Sequence, residues 1–297
     1  MPPRTLKICT TQYPIDPVET REDWIAKTEH WIERAHSTGA ELVVFPEYAG
    51  LELAHTIPDF TSLTPLEQLQ ALQPLVALHV DVHERLSRKY ETWILAGSLP
   101  ERVTTGYRNR ARFYGPSGLA AICEKCILTP FERQWGLTPG DEVSVIETPI
   151  GTIGVAICYD SEFPLLVRSM VDRGVDLVLV PSCTDGLAGA QRVKIACQAR
   201  ALENQCYVVQ ASTVGVAPRI PAVDENHGIA AAYCPPDVGF PESGILAAGA
   251  LDCAEWVFAD LDFFRLAEVR SKGQVRNCED WSLQNLLTSR TRTIIVD

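Results

Sequence analysis

The sequence is poor in basic residues. It has 26 Lys and Arg against 38 Asp and Glu, which gives a formal net charge of -12 over 297 residues. A protein that binds nucleic acid or an anionic membrane surface needs a basic stripe to neutralise phosphates, and this composition does not supply one. We therefore expect small molecules, and neither nucleic acid nor a membrane, as partners.

Long apolar runs are also missing. No stretch is long enough to span a bilayer, and residues 1–10 lead directly into a strand pattern without the apolar core of a signal peptide. These features predict a cytoplasmic location. In that compartment the ten cysteines, which are scattered through apolar segments, are expected to be reduced thiols.

The usual metal-binding patterns are absent as well. The six histidines contain no His-Glu-x-x-His arrangement, and the Cys-x-x-Cys spacing of Cys123 and Cys126 is not followed by a second ligand pair. His79 and His83 stand four residues apart on a predicted helix, a spacing that we interpret as a solvated helix face. We expect no metal site.

The sequence does contain enough apolar residues for a large core, with 46% hydrophobic and 22% charged residues. Strand-like runs alternate with helical periodicity in both halves of the chain. The strands are predicted at 6–12, 41–46, 92–97, 152–157, 176–181 and 206–212, and the helices at 21–37, 75–90, 162–173 and 189–204. Residues 48–65 are predicted to form a loop, and a hairpin turn is expected at 115–118.

Two of these strands resemble one another. Residues 41–46 and 176–181 each follow a helix and a glycine, read Asp/Glu-Leu-Val-x-x-Pro, and place a polar residue just past the proline. The repetition suggests two related halves, each contributing a sheet with helices, stacked face to face.

Cys158 is predicted to lie at a junction between a strand and a helix. Unpaired N–H groups and the positive end of the helix dipole at such a position favour a thiolate, the form that attacks carbon. The alternative is a buried structural cysteine.

Glu47 and Lys125 also stand at strand ends, and strand ends on one side of a sheet converge on a common cleft. A carboxylate, an ammonium and a thiol could therefore meet there.

At these positions the chain resembles the nitrilase superfamily of carbon–nitrogen hydrolases over nearly its full length. Four segments carry the resemblance in the family's order and spacing: Phe45-Pro-Glu47, the run from Lys125 to Glu132, the run from Gly154 through Cys158 to Asp160, and the helix segment Arg200-Ala-Leu-Glu203-Asn204. The resemblance implies an α/β fold, a four-layer α-β-β-α sandwich. It also implies a Glu-Lys-Cys triad without metal or organic cofactor, and dimers or larger assemblies.

The triad implies a thiol hydrolase that cleaves a non-peptide C–N bond through an acyl-cysteine. Cys158 would attack the carbonyl carbon, Glu47 would act as general base, and Lys125 with the backbone N–H of Tyr159 would hold the oxyanion. Glu132 would position Lys125 or the substrate, or else pair with Arg133 or another surface cation. Arg200 and Glu203 are expected to form a structural ion pair near the site.

The substrate class is left open. The Cys158-Tyr-Asp segment resembles the amidase-like branches, which favours an amide or carbamoyl substrate. A nitrilase, an acyl-transferring enzyme and a non-catalytic binding protein are the alternatives. Where ω-amidase-like members carry arginine, this chain has Glu162, which would repel a substrate carboxylate and attract a cation. Glu162 could equally be a helix-terminus residue stabilised by the dipole.

A single catalytic domain is predicted over 1–268, with a C-terminal tail over 269–297. The apolar residues of the tail, and the helix after Cys158, are expected to pack on a partner subunit in a homodimer or higher homo-oligomer.

Overall fold

The computed structural model describes residues 5–296, except for the side chain of Leu286. The first half of the chain alternates strands with helices and ends in a hairpin. Its elements are β1 (Thr5–Pro14), α1 (Arg21–Ser37), β2 (Leu42–Phe45), α2 (Pro65–Lys89), β3 (Trp93–Val103), β4 (Gly106–Gly115) and β5 (Gly118–Glu124). The hairpin turn falls between β4 and β5, where the sequence predicts it.

A short helix, α3 (Pro130–Trp135), leads to the second half. That half contains β6 (Val145–Thr148), β7 (Gly151–Val155), α4 (Pro164–Val171), β8 (Leu177–Ser182), α5 (Leu187–Asn204) and β9 (Tyr207–Val216). The remaining elements are β10 (Glu225–Asn226), β11 (Ala231–Tyr233), β12 (Ile245–Ala248), β13 (Glu255–Asp262), α6 (Phe263–Lys272), α7 (Asn277–Asp280) and α8 (Leu283–Thr288).

The two halves join edge to edge. The strand order is β5-β4-β3-β2-β1-β9-β8-β7-β6, and β1 pairs in parallel with β9 where Gln12 to Pro14 lie opposite Ser212 to Val214. The strands next to this junction are parallel in both halves, whereas each outer edge is an antiparallel pair. The C-terminal ends of the parallel strands in both halves therefore lie near one another at the junction.

The side chains of the strands divide into two sets, as the period-2 geometry of a strand requires. In the first half one set joins a core that also contains second-half residues; its members are Leu6, Ile8, Leu42, Val44, Leu95 and Phe113. The other set packs with Trp24 and Ile32 of α1 and Leu72 and Leu86 of α2, and includes Cys9, Val43, Phe45, Ile94 and Ala96.

In the second half α4 packs closely on β7. A Cβ added at Gly154 would lie 2.5 Å from the Met170 sulfur, so glycine allows the close approach. Helices therefore cover the outer side of each half. The apolar side chains shared by the two halves lie between the two layers of strands. The result is the predicted four-layer α-β-β-α sandwich.

Helix α1 has the predicted boundaries, because its N-terminus is specified locally. The Thr20 side chain accepts the N–H of Asp23, and the Asp23 carboxylate accepts the N–H of Thr20. Helix α2 begins ten residues before the predicted start. Thr64 and Glu67 form a second capping box there, and Pro74 lies inside the helix without ending it.

Two other predictions are wrong. The segment predicted as a loop over 48–65 contains a 3₁₀ helix, Ala49–Thr56, most of which is buried. His79 and His83 do not lie on a solvated face, because both side chains are buried against Trp24 in the α1/α2 layer. Both residues follow the helical spacing of Leu75, Val82 and Leu86.

The tail from residue 269 onwards has two parts. Up to Trp281 it packs on its own chain: Gln205 accepts the N–H of Cys278 at 3.0 Å, and the Arg168 guanidinium lies over the Trp281 ring at 4.7 Å. Beyond that point the described apolar side chains are exposed, and they are Leu283, Leu287, Ile294, Ile295 and Val296. Leu165 of α4 and Ile195 of α5 are also exposed, at 75% and 63%.

Over residues 5–296, none of the helices combines the length and the apolar character that crossing a membrane requires.

Candidate active site

Cys158 lies in a sharp turn between β7 and α4. It follows β7 by three residues and begins a 3₁₀ helix, Cys158–Glu162, that leads into α4. Its φ angle is +49°, a left-handed conformation that L-residues seldom adopt. The turn places the sulfur 3.6 Å from the backbone carbonyl oxygen of Cys183, at the end of β8.

Glu47 and Lys125 come from the first half and meet beside Cys158. Glu47 lies two residues past the end of β2, and Lys125 directly follows β5. The Lys125 Nζ donates to Glu47 Oε1 at 2.8 Å, and both side chains are almost fully buried. The structure therefore brings the three sequence-predicted residues together at one site.

Glu132 is the second carboxylate on Lys125. It caps α3 as the third residue of a Thr129 capping box, and its Oε2 lies 2.7 Å from Lys125 Nζ. Its other oxygen accepts a hydrogen bond from the Tyr48 hydroxyl at 2.7 Å. Glu132 therefore pairs with Lys125 inside the site, and the alternative of a surface pair with Arg133 is wrong.

Asn109 and Cys183 also hold the site, although sequence reasoning did not identify them. The Asn109 amide donates to Glu47 Oε1 at 2.8 Å and to Glu132 Oε1 at 3.1 Å. The backbone N–H of Cys183 donates to Glu47 Oε2 at 3.0 Å. Both oxygens of Glu47 are therefore fixed, which holds its carboxylate in one orientation.

Asp160 connects the lysine segment to the cysteine turn. Its buried carboxylate accepts the backbone N–H groups of Cys126, Ile127 and Ile157 at 3.2, 2.7 and 3.3 Å. Burial raises the pKa of Asp160 to about 6, against the opposing effect of these hydrogen bonds. The segments that carry Lys125 and Cys158 are therefore tied together by one carboxylate.

The predicted ion pair on α5 is confirmed. Arg200 Nε lies 2.6 Å from Glu203 Oε1, and the Arg200 guanidinium also donates to the backbone oxygen of Ser161 at 3.0 Å. The pair thus supports the 3₁₀ turn that begins at Cys158.

Lys125 keeps its charge in this environment. Burial acts to lower the pKa of its ammonium, but the carboxylates of Glu47 and Glu132 outweigh burial and raise that pKa above its usual value. Burial acts to raise the pKa of Glu132, but Lys125 and the surrounding hydrogen-bond donors hold it below its usual value. The stable charged pair at neutral pH is therefore Lys125 with Glu132.

Glu47 differs from Glu132 because burial dominates. Desolvation raises the pKa of Glu47 to about 7, even though the Lys125 ammonium lowers it. A carboxyl group with this pKa exchanges a proton readily near neutral pH, which suits a general acid–base group.

The expectation of a Cys158 thiolate is wrong. Burial, and then the negative charge of Glu47, raise the pKa of Cys158 well above its ordinary value, and Lys125 offsets this only in part. The five-residue 3₁₀ turn that follows Cys158 replaces the longer helix whose dipole the prediction used. The resting group is a thiol, so its proton must leave as the sulfur reacts.

A cavity of about 490 Å³ opens above these residues. Cys158, Glu47 and Lys125 lie on its wall, together with the predicted site residues Tyr159, Glu132 and Glu162. The Tyr159 ring packs edge-on against Phe163 at 4.9 Å. Glu162 lies at the end of the 3₁₀ turn, where its Oε1 pairs with Arg192 Nε at 3.6 Å.

Metal binding finds no support in the part of the chain that the structure describes. Over residues 5–296, no three or more His, Cys, Asp or Glu side chains are grouped so that they could hold a metal ion. The chemistry available on the cavity wall is that of a thiol, a carboxyl group of raised pKa and an ammonium group.

Comparison with known proteins gives the same fold and family. A probable hydrolase of Bacillus subtilis (strain 168) is 30% identical over 276 residues, which are 93% of this chain and 53% of that protein, so the chain spans about half its length. An omega-amidase of Xenopus laevis is 26% identical over 280 residues, 91% of this chain and 93% of that enzyme. The structure of Saccharomyces cerevisiae Nit3, a member of branch 10 of the nitrilase superfamily, matches with a TM-score of 0.70 at 21% identity over 90% of this chain and 94% of that one.

The family model described as carbon-nitrogen hydrolase matches residues 7–249. That range covers most of the chain and includes all the site residues described above. The fold, the 30% identity to the Bacillus subtilis protein and this match agree with one another. The chain belongs to the carbon–nitrogen hydrolase family.

Proposed function

We propose that this protein hydrolyses the C–N bond of a small amide or carbamoyl compound through a covalent intermediate on Cys158. One observation carries the proposal: the Cys158 thiol, the Glu47 carboxyl group and the Lys125 ammonium lie together on the wall of one cavity. A thiol, a base and a cation in contact are the groups that acyl transfer to cysteine requires.

Acylation begins with attack of the Cys158 sulfur on the carbonyl carbon. Glu47 takes the thiol proton as the S–C bond forms, which is needed because the raised pKa of Cys158 keeps the resting group protonated. The C–O double bond becomes a single bond, and its electron pair moves onto the oxygen. The pKa of Glu47, about 7, allows it to accept this proton near neutral pH.

The negative oxygen of this intermediate needs hydrogen-bond donors that stabilise its charge. An ammonium group has three N–H bonds. In Lys125 two of them are taken up by the carboxylates of Glu47, at 2.8 Å, and Glu132, at 2.7 Å. The third N–H is left for the substrate oxygen, and the backbone N–H of Tyr159 is a second donor at the same turn. Because Lys125 stays charged, its hydrogen bond strengthens as the oxygen becomes negative.

Collapse of the intermediate breaks the C–N bond. The proton held by Glu47 goes to the departing nitrogen, so ammonia or an amine leaves as a neutral molecule and a thioester remains on Cys158. Water then attacks the thioester while Glu47 takes one of its protons. The C–S bond breaks, Cys158 recovers a proton, and the carboxylic acid is released.

An amide is favoured over a nitrile as the substrate. The Cys158-Tyr-Asp segment resembles the amidase-like branches, and the Xenopus laevis relative is named an omega-amidase. Nitrile hydrolysis by the same residues is the second candidate, and a binding protein without activity is the third. The intact and connected Glu47, Lys125 and Cys158 speak against that third candidate.

The test measures ammonia release from a panel of amides, ureido acids and nitriles, together with the mass of the protein during turnover. We expect release from at least one amide or ureido acid, and an acyl adduct located on Cys158. The Cys158→Ala variant should keep its fold and lose turnover, whereas the control Cys123→Ala, which changes a buried thiol outside the cavity, should retain it. Turnover that survives in Cys158→Ala and disappears in Cys123→Ala would overturn the assignment.

A further inference from the structure

The mouth of the active-site cavity is acidic. Apart from the deep residues that surround Lys125, the charged side chains on its wall are one arginine, Arg192, and four carboxylates, which are Glu162, Asp185, Asp224 and Glu225. These groups line the same cavity as Cys158. Their sign therefore bears on which substrates the cavity admits.

Three of the four carboxylates form no ion pair among the described residues. The pKa of His227 is raised first by its hydrogen bond to Asp252 and then by the nearby charges of Glu225 and Asp185, but its ion-pair partner is Asp252. Within residues 5–296, no Lys, Arg or His nitrogen forms an ion pair with Asp185, Asp224 or Glu225. All three residues are exposed at the rim. Glu162 differs, because Arg192 pairs with it at 3.6 Å. The carboxylates of the other three thus remain available to a charged ligand.

The cations of the cavity are already engaged. Lys125 lies between the carboxylates of Glu47 and Glu132, and Arg192 lies beside Glu162. A substrate carboxylate would have to compete with these acidic groups for either cation, at a cost in like-charge repulsion. A substrate ammonium or guanidinium group would meet three unpaired carboxylates instead.

Aromatic side chains also line the cavity. The rings of Phe131 and Tyr159 are on the cavity wall, and Phe131 is 44% exposed. These rings can cover an alkyl chain, and their faces attract a cation. A chain of a few methylene groups could therefore connect a cationic head at the rim with an amide carbon at Cys158.

We propose that the enzyme selects amides or carbamoyl compounds that carry a cationic group at the end remote from the scissile C–N bond, and that Asp185, Asp224 and Glu225 are the specificity-determining residues. This inference rests on the proposed function, because it concerns the substrate of the same cavity. Glu162 is partly neutralised by Arg192, whereas the other three carboxylates form no ion pair within residues 5–296. The inference also separates this enzyme from any relative that selects a substrate carboxylate.

The experiment compares three amides of similar length: 5-aminopentanamide, which is cationic, pentanamide, which is neutral, and 4-carbamoylbutanoate, which is anionic. Values of kcat/KM are measured at low and high salt for the wild type, for Asp185→Asn, and for the Asp224→Asn/Glu225→Gln double variant. Glu242→Gln is the matched control, because Glu242 is exposed and lies outside the cavity.

We expect the order cationic, neutral, anionic in the wild type, with a preference that weakens as salt is added. Each removed carboxylate should lower the cationic-to-neutral ratio about two- to five-fold, the range for an exposed ion pair. Cleavage of the neutral amide should change less than cleavage of the cationic amide in the rim variants, and Glu242→Gln should leave all three values unchanged.

The outcomes separate this inference from the proposed function. Hydrolysis with the anionic amide as the best substrate, or a ranking that the rim variants leave untouched, overturns the cationic preference and leaves the amidase proposal standing. Absence of hydrolysis of all three amides, and of carbamoyl compounds with the same three end groups, overturns both the cationic preference and the amidase proposal.

Discussion

The backbone N–H of Cys183 donates a 3.0 Å hydrogen bond to the carboxylate of Glu47. The two residues stand just past the prolines of the two similar strands, β2 and β8, which belong to different halves of the chain. The bond therefore joins the halves at the point where their strands end. The proposed base owes its orientation to a residue 136 positions away in the sequence.

Loss of the Lys125 ammonium should impair the chemical step more than binding. We expect Lys125→Ala to lower kcat by about 10²- to 10³-fold, the usual effect of removing one oxyanion donor. Arg133→Ala is the control, because Arg133 is an exposed cation nearby that is absent from the cavity wall. Steady-state kinetics on the best amide provide the measurement. A Lys125→Ala enzyme within a few-fold of the wild type would disprove the oxyanion role.

The pH dependence of kcat/KM should report Glu47. Its pKa is raised to about 7 mainly by burial, and its deprotonated form is the base, so activity should rise with pH through about 7. The charge of Glu132 contributes to that raised pKa. In Glu132→Gln, which can keep the capping box with Thr129, the rise should move to lower pH. A rise near the ordinary glutamate value in the wild type would contradict this assignment.

His79 and His83 should make the fold sensitive to acid. Burial lowers the pKa of His83 to about 4 and that of His79 well below its ordinary value, whereas in the unfolded chain both titrate near 6.5. Between these values the unfolded chain binds protons that the folded chain excludes. The stability contributed by the neutral histidines is therefore complete above about pH 6.5 and is lost as the pH falls; for His83 the loss is about 2 kcal/mol at pH 5.

Urea denaturation at pH 7 and pH 5 measures this effect. The difference between the two free energies of unfolding should shrink in His79→Gln and in His83→Gln, whatever the stability of each variant at pH 7. His30→Gln is the control, since His30 is an exposed residue on α1. An equal pH difference in the wild type and in both buried-histidine variants would show that the pair does not titrate as its burial requires.

The exposed apolar residues of α4 and α5 should be covered by a second copy of the chain. Leu165 and Ile195 are 75% and 63% exposed, and burying apolar side chains on a partner would stabilise the dimer. We expect a homodimer or larger species in sedimentation at micromolar concentration, and its dissociation in Ile195→Glu. Leu66→Glu, at an exposed position on α2, is the control. A wild-type species of only 32.8 kDa would rule the dimer out.

Local patterns in the sequence are sufficient to predict the six strands that pair in parallel and the residues at their ends. Helix α1 begins where Thr20 and Asp23 specify a capping box, and Glu47, Lys125 and Cys158 follow runs of apolar residues that form strands. Family resemblance supplied the roles of these residues. Together they predict the four layers and the meeting of a thiol, a carboxylate and an ammonium.

Contacts between distant residues could not be predicted in this way. Asn109 lies inside β4, and Cys183 acts through its backbone N–H, so neither has a local pattern that indicates its partner. The resting charge of Cys158 depends on burial, which the turn alone does not determine. The burial of His79 and His83 is indicated by their helical spacing with Leu86. Histidine is a polar residue, and residue type alone favours a solvated helix face instead.

The site is built from contacts that are remote in sequence. Glu47 contacts Lys125 over 78 positions and Cys183 over 136. Such contacts form late, because a chain must close long loops before they can contribute free energy. The proposed chemistry therefore switches on only when both halves have folded and docked. In a partly folded chain Cys158 has neither Glu47 nor Lys125 beside it, so the proposed hydrolysis requires the complete fold.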